Sequence, residues 1–364
     1  MIKKLPSGRW QARHRPVPGG KQVARNFDRK LDAVRWLDAQ KAAVLTGTYA
    51  DPGAGRITFR EYATAWQAAQ THRPNTAAAV DSALRVHALP RFGDRPIASI
   101  RPTEVQAWVR DLSSTLAPST VRVTYQHLRS VFRAAELDRV ISRTPCEQVK
   151  LPRAARPRVT PLATEVVLGA AERMPDRWRA LVTLMAGTGL RPGEAAGLCL
   201  EQVEMLRKTL HVDRQLLLRP RVLGPVKTES SDRFVPFGEV VAHALAAHMA
   251  TYPPGEHGLV FTDVFGAPVN RDEVGRAFKA AAVASGGPAT ARLHDLRHYY
   301  ASLLIRAGED VKVVQDRLGH ASARETLDTY SHLWPDSEDR TRSAVDGVLG
   351  ARTEDSLRTE DGPR

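Results

Sequence analysis

His294-Asp295-Leu296-Arg297, followed by Leu318-Gly319-His320 and then Tyr330, sets what the rest of this chain must be folded to hold. These residues place two imidazoles, a guanidinium and a phenol within positions 294–330. Upstream, Gly189-Leu190-Arg191-Pro192-Gly193-Glu194 supplies a second arginine in a turn. Two guanidiniums can clamp the non-bridging oxygens of a phosphodiester through forked hydrogen bonds, two imidazoles can move protons, and a phenol can attack phosphorus. Phosphoryl transfer is the chemistry this set suits. The sequence offers no carboxylate cluster for a metal beside it.

Local patterns place these residues on elements. A helix is expected over Trp178–Ala186, ending in Gly187-Thr188-Gly189, with a new helix starting after Arg191 and Pro192 in its first turn. Arg191 then sits beside a helix N-terminus, whose free N–H groups and dipole assist anion binding. Glu194 reads equally as an orienting partner for arginines or as an ordinary first-turn acid. Positions 294 and 297 share one helical face, with Leu296, Tyr300 and Leu303 on another. His294 and His298, at i and i+4, have the spacing of a zinc pair, but no H-E-x-x-H or cysteine cluster supplies further ligands, so His298 reads as structural. Val311, Val314 and Leu318 stripe the next helix and Gly319 ends it, leaving His320 in a turn facing the site. Tyr299 and Tyr300 read as core residues and His332 as incidental. Pro225–Pro236 alternates around a polar turn and reads as a hairpin carrying Lys227.

The order Arg191, Lys227, His294, Arg297, His320, Tyr330 resembles the catalytic signature of the tyrosine recombinases, the phage integrase family. The match extends to Thr188–Glu194, to Lys227-Thr228 with Ser231 and Arg233, and to Leu318-Gly319-His320. Tyr330 stands ten residues beyond His320, where many members have nine, which leaves the local helix register open. The resemblance implies that Tyr330 is the nucleophile, forming a 3′-phosphotyrosyl intermediate. Arg191 and Arg297 would stabilise the phosphate, Lys227 would protonate the departing 5′ oxygen, and His294 and His320 would assist. It implies no metal, no ATP and no other cofactor. The partners it implies are double-stranded DNA attachment sites and a homotetramer on DNA, with a host DNA-bending protein and an excisionase as helpers and no membrane.

Composition agrees at a coarser level. With 53 Lys+Arg against 40 Asp+Glu, the net charge is +13, which favours a polyanionic partner. Only Cys146 and Cys199 occur, excluding a disulfide framework and reading as small buried side chains. The N-terminus has no apolar signal segment and no 18-residue apolar run occurs, so a cytoplasmic protein is expected.

The fold class expected is mainly α (α+β): a small β-sheet plus helix, a helical domain, and a mixed α/β catalytic domain of the tyrosine recombinase type. Residues 1–55 carry eleven Lys and Arg against Asp28, Asp32, Asp38 and Asp51, leaving +7. Short strands over Gly8–Phe27, turning at Gly19-Gly20, and a helix over Leu31–Leu45 are expected, with Trp10, Phe27 and Trp36 as a miniature core. This segment resembles the arm-type DNA-binding domain of integrases; a solvated basic extension is the other reading. Asp51–Gly55 reads as a linker. Residues 56–140 read as a helical core-site DNA-binding domain. Its clearest helix, Ser119–Leu137, has Val121, Tyr125, Leu128, Phe132 and Ala135 on one stripe and Arg122, Gln126, Arg129 and Arg133 on the opposite one. That second stripe suits phosphates or base edges, though an ordinary solvated face looks the same. A proline-rich basic linker is expected over 141–160, a catalytic domain over 161–349, and a disordered tail over 350–364. A type IB topoisomerase-like enzyme, a non-catalytic DNA-binding regulator and a metal-dependent nuclease remain alternatives. The first shares the chemistry, the second does not need the six-residue set, and the third lacks acidic ligands.

Overall fold

A computed structural model of the chain describes residues 1–15, 22–46, 53–153, 158–218, 220–334, 342–343 and 345–349. The chain divides into two compact units, Met1–Ala155 and Arg156–Arg364. The expected turn at Gly19-Gly20 and the tail 350–364 lie outside the described residues.

In the first unit, strands β1 (Ile2–Lys4), β2 (Trp10–His14) and β3 (Val23–Phe27) form an antiparallel sheet in that order. β1 precedes the stretch where strands are expected; three residues carry too little alternation to be seen. Helix α1 (Lys30–Leu45) packs on β2. Ala12, Ala33 and Leu37 are the buried residues, while Trp10, Phe27 and Trp36 are only half-buried. Phe27 and Trp36 meet at 5.8 Å, and the Lys4 and Lys30 ammoniums lie over the Trp10 ring at 5.8 and 5.4 Å.

The helical part of this unit comprises α2 (Phe59–Ala68), α3 (Pro74–Ala83), α4 (Leu89–Phe92), α5 (Pro102–Ser113) and α6 (Pro118–Leu137). Pro74, Pro102 and Pro118 open three of these helices, where the missing N–H costs nothing. Thr58 and Glu61 form a capping box ahead of α2. Between α3 and α4 the backbone widens into a π turn, Leu84–Ala88, just before Pro90, which cannot donate to the preceding turn. On α6 the whole apolar stripe, Val121, Tyr125, Leu128, Phe132 and Ala135, is buried, and Phe132 stacks on Phe59 at 5.2 Å. Arg122, Gln126, Arg129 and Arg133 are exposed. Ile141 and Cys146 of the expected linker are buried in the same core, and the Tyr125 hydroxyl donates to the Cys146 carbonyl.

The second unit contains α7 (Thr164–Arg173), α8 (Asp176–Thr188), α9 (Pro192–Ala196), β4 (Val203–Glu204), β5 (Thr209–Val212), β6 (Arg214–Leu216), β7 (Leu223–Pro225), β8 (Arg233–Pro236), α10 (Glu239–Thr251), α11 (Arg271–Ala284), α12 (Asp295–Arg306), α13 (Val311–Leu318) and α14 (Ala323–Tyr330). One antiparallel sheet has the order β4-β5-β8, and β6 pairs with β7. The expected hairpin over Pro225–Pro236 is therefore corrected. Its two halves pair with different upstream strands, because Val235 opposite Leu210 buries both side chains fully. That apolar pair outweighs local closure. Among the described residues no helix is long and apolar enough to cross a membrane. The architecture is mainly helical with small sheets, as expected from the sequence.

Candidate active site

Helix α8 ends at Gly189, whose φ of 66° is left-handed. A Cβ there would lie 2.4 Å from Tyr300 Cδ1, so the turn needs glycine on both counts. It buries Leu190 and leaves Arg191 as the residue preceding α9. The Arg191 guanidinium donates from Nη1 to Glu194 Oε1 at 2.8 Å and Ser231 Oγ at 3.1 Å, and from Nη2 to the Gly319 carbonyl at 3.0 Å. Glu194, 4% exposed, also accepts from Arg233 Nη2 at 2.9 Å and from the Arg191 backbone N–H at 3.0 Å. Burial alone would raise its pKa, but Arg233 and Arg191 outweigh that and hold the carboxyl below the usual glutamate range. Glu194 is thus the orienting partner, and Arg233 is its second guanidinium, a pairing that no local pattern in the sequence marks.

Arg297, on α12, is 2% exposed and donates to the carbonyls of Gly189 at 2.9 Å and Leu318 at 2.6 Å. It ties the end of α8 to the end of α13. Neither bond goes to a carboxylate, so a buried cation is left with only distant compensation. Burial first, and the charge of Arg191 second, lower its pKa, yet a guanidinium stays protonated. Three enclosed or half-enclosed guanidiniums around one buried carboxylate leave the site positive and suited to an anion.

Gly319, at φ 64°, ends α13 and turns the chain so that His320 points inward, 6% exposed, with Nδ1 2.9 Å from Thr326 Oγ1. Its ring lies parallel to that of Tyr330, 6.3 Å away at 7°. Tyr330 is the last residue of α14 and only 1% exposed, and its hydroxyl lies 2.8 Å from His298 Nδ1. Burial pushes the phenol up to about 12 against the pull of Arg297 and Arg191. Burial, then Arg297 and Arg191, depress His320 to about 3. His294, just before α12, is depressed to about 4 by desolvation among its neighbours and then by His298, Arg297 and Arg191. Its outer edge nonetheless stays open to solvent, which tempers the desolvation but leaves the neighbouring cations in force. The neighbouring guanidiniums favour the neutral form of both imidazoles.

Five of the six expected site residues, Arg191, His294, Arg297, His320 and Tyr330, are thus brought together. Lys227 is exposed, two residues past β7 and just ahead of the Glu229–Ser231 turn, whose Ser231 accepts from Arg191. His298, read from sequence as structural, contacts the Tyr330 hydroxyl; its i+4 spacing from His294 was the available signal. The two rings meet edge to face at 4.9 Å, and no group of three or more metal-ligating side chains occurs among the described residues. Tyr299 and Tyr300 are core residues, as expected, and His332 Nε2 lies 2.8 Å from the Val159 carbonyl. Arg122, Gln126, Arg129 and Arg133 belong to the other unit, Met1–Ala155.

The integrase of Mycobacterium phage D29 is 30% identical over 346 residues, which span 88% of this chain and 89% of that protein. The chain belongs to the phage integrase family of tyrosine recombinases. Three family models match in succession: the phage integrase N-terminal domain over residues 1–46, the phage integrase central domain over 59–151, and the phage integrase family over 159–336. A tyrosine recombinase XerD from Corynebacterium glutamicum is 33% identical over 165 residues, covering 44% of this chain and 50% of the relative. Among solved structures, the Tn1549 transposon integrase in complex with a circular intermediate DNA superposes with TM-score 0.69 at 20% identity, over 80% of this chain and 100% of that one. A lambda integrase tetramer bound to a Holliday junction gives 0.59 at 17% identity, over 89% and 96%. This integrase is thus a site-specific DNA recombinase with the family's fold.

Proposed function

We propose that this integrase cuts and rejoins DNA attachment sites by direct attack of Tyr330 on the scissile phosphate, with no metal ion or ATP, to integrate a phage or related mobile element. The observation that carries it is the convergence of Arg191 and Arg297 on the adjacent carbonyls of Gly319 and Leu318, immediately before the His320 ring that stacks on Tyr330. A phosphate entering beside Tyr330 meets two preorganised guanidiniums aimed at the charge that grows on its oxygens. The Tyr330 oxygen bonds to phosphorus, the 5′ oxygen departs with a proton from Lys227, and a 3′-phosphotyrosyl ester remains. Neutral His294 and His320 hydrogen-bond the phosphate oxygens. The ester conserves the bond energy, so the 5′ hydroxyl of another strand reverses the step with a new partner.

In this reading Arg122, Gln126, Arg129 and Arg133 of α6 meet core-site DNA, and residues 1–55 meet arm sites, where the Lys4 and Lys30 ammoniums flanking Trp10 concentrate charge. The DNA complexes of the Tn1549 and lambda integrases, one of them a tetramer, support duplex attachment sites as substrates and a homotetramer as the working form. The reaction takes place in the cytoplasm with the host DNA, helped by a DNA-bending protein and an excisionase. Incubation with nicked suicide DNA in EDTA, without nucleotide, should give an SDS-resistant adduct, and two duplexes should exchange strands. Tyr330→Phe should bind the DNA and give no adduct. Cleavage that needs a divalent metal, or relaxation without strand exchange, would overturn this reading.

A further inference from the structure

In the folded chain the Tyr330 hydroxyl is already paired with an imidazole, and it is neither of the two histidines in the signature. His298 Nδ1 lies 2.8 Å from it, with ring centroids 5.6 Å apart at 65°. The other two are placed differently. The His320 ring lies parallel to that of Tyr330, at 7° with centroids 6.3 Å apart, and its Nδ1 is engaged with Thr326. His294 stands edge to face against His298, one imidazole further from the phenol.

We propose that His298 is the general base of the cleavage step, taking the Tyr330 proton on Nδ1, and this assignment rests on Tyr330 being the nucleophile. On cleavage the Tyr330 Oη–P bond forms and the P–O5′ bond breaks. The phenol proton passes to His298 Nδ1, and O5′ leaves with a proton from Lys227. On rejoining, the incoming 5′ hydroxyl returns a proton to Lys227 and attacks phosphorus; the Oη–P bond breaks, and the phenolate recovers its proton from His298. Protons and bonds balance in both directions, with no further reactant.

The surroundings fit this exchange. His298 must present an unprotonated Nδ1 and therefore carry its proton on Nε2. Burial favours its neutral form, opposed by Asp295 and reinforced by Arg297. The charged and titratable groups around the pair are His294, Asp295 and Arg297 on or beside α12, Arg191 ahead of α9, and His320 and Glu325 flanking Tyr330. A phenol raised to about 12 by burial is a poor nucleophile without a base at contact distance. With the phenol proton assigned to His298, His294 and His320 are free to bond the phosphate.

The test uses the full-length integrase on a suicide duplex whose 5′ bridging oxygen is replaced by sulfur, since a thiolate departs without a proton and Lys227 no longer limits the rate. His298→Gln keeps an amide oxygen to accept from the phenol but cannot carry the proton away. At saturating DNA and pH 7 it should cleave about a hundredfold more slowly than the unaltered protein. Its rate should climb about tenfold per pH unit as hydroxide substitutes for the base, approaching the unaltered protein at alkaline pH. A His298→Gln rate within threefold of the unaltered protein, with the same pH profile, would reduce His298 to a positioning residue and overturn the proposal. Should that variant not bind the core site, His298→Ala is assayed with added imidazole. Recovery in proportion to the unprotonated imidazole is expected, and no recovery by a DNA-binding His298→Ala protein overturns the proposal. If the nucleophile itself is misassigned, Tyr330→Phe retains its adduct, a result independent of either His298 variant.

Discussion

On α6, Arg122, Arg129 and Arg133 stand exposed along one helix face, with Arg122 reaching the Pro152 carbonyl at 3.4 Å, whereas Arg191, Arg233 and Arg297 are half or fully enclosed and donate over 2.6–3.1 Å. The two sets have the same charge and different physics. Exposed guanidiniums on flexible stems attract a polyanion over roughly a Debye length, about 10 Å at 0.1 M salt, and release counterions when they meet phosphate. The enclosed set is fixed by Glu194 and by the carbonyls of Gly189, Leu318 and Gly319. In the proposed mechanism it cannot relax away from a growing charge, and that would lower the barrier. On the proposed mechanism, a charged residue in this integrase contributes affinity or rate according to whether its donors are held before DNA arrives.

The largest effect expected from breaking this contrast is on Arg297. Arg297→Ala should slow cleavage of bound DNA by about two to three decades, the scale of losing a preorganised donor to a developing oxyanion, with little loss of DNA affinity. Single-turnover cleavage at saturating DNA checks this, and a rate within a few-fold of the unaltered protein would put the phosphate clamp elsewhere. Arg297→Lys should recover little, because one ammonium cannot span both carbonyls.

Next comes Glu194→Gln, which should cost about 3–5 kcal/mol of stability, since it leaves Arg233 buried without its carboxylate. The pH dependence has a definite sign. Glu194 has a lowered pKa in the folded chain, so its contribution is complete above the ordinary glutamate value, about 4.3, and is lost as pH falls towards the lowered value. Denaturant midpoints of the two proteins should therefore differ most near neutrality and converge below pH 4. A constant gap would mean that the carboxylate charge plays no part.

The smallest effects belong to α6. Arg122→Ala or Arg129→Ala should each weaken DNA binding less than tenfold at about 0.1 M salt and reduce the salt slope by about 1, leaving the cleavage rate at saturating DNA unchanged. Binding isotherms at several salt concentrations, paired with single-turnover rates, check both halves. A changed cleavage rate would erase the distinction between the two arginine sets.

What could be read from the sequence was what carried its own local signal. Gly189 and Gly319 mark left-handed turns, Pro192 marks a helix start, and the three-residue step from His294 to Arg297 places both at the start of one helix. The α6 stripe likewise fixes which side is buried. What could not be read depended on partners far along the chain. Val235 pairs with Leu210, so the segment around Lys227 is not a hairpin of its own, and no local alternation reveals that. His298 meets Tyr330 only because α12 and α14 fold together, 32 residues apart. The ten-residue step from His320 to Tyr330 is taken up by α14, which Ser322 caps at its start with its side chain and of which Tyr330 is the final residue. Glu194 changes from a first-turn acid to a bridge between Arg191 and Arg233 only once β8 is in place.

The central claim is that one buried phenol, Tyr330, performs the attack, and peptide mapping of the trapped adduct tests it most directly. The integrase is captured on nicked suicide DNA, digested with trypsin and nuclease, and the nucleotide-bearing peptide is sequenced by mass spectrometry. The account predicts the nucleotide on the peptide containing Tyr330, attached through its phenolic oxygen to a 3′ phosphate. A nucleotide on the peptide containing Tyr299 and Tyr300, or a 5′ phosphate linkage at any residue, would contradict it.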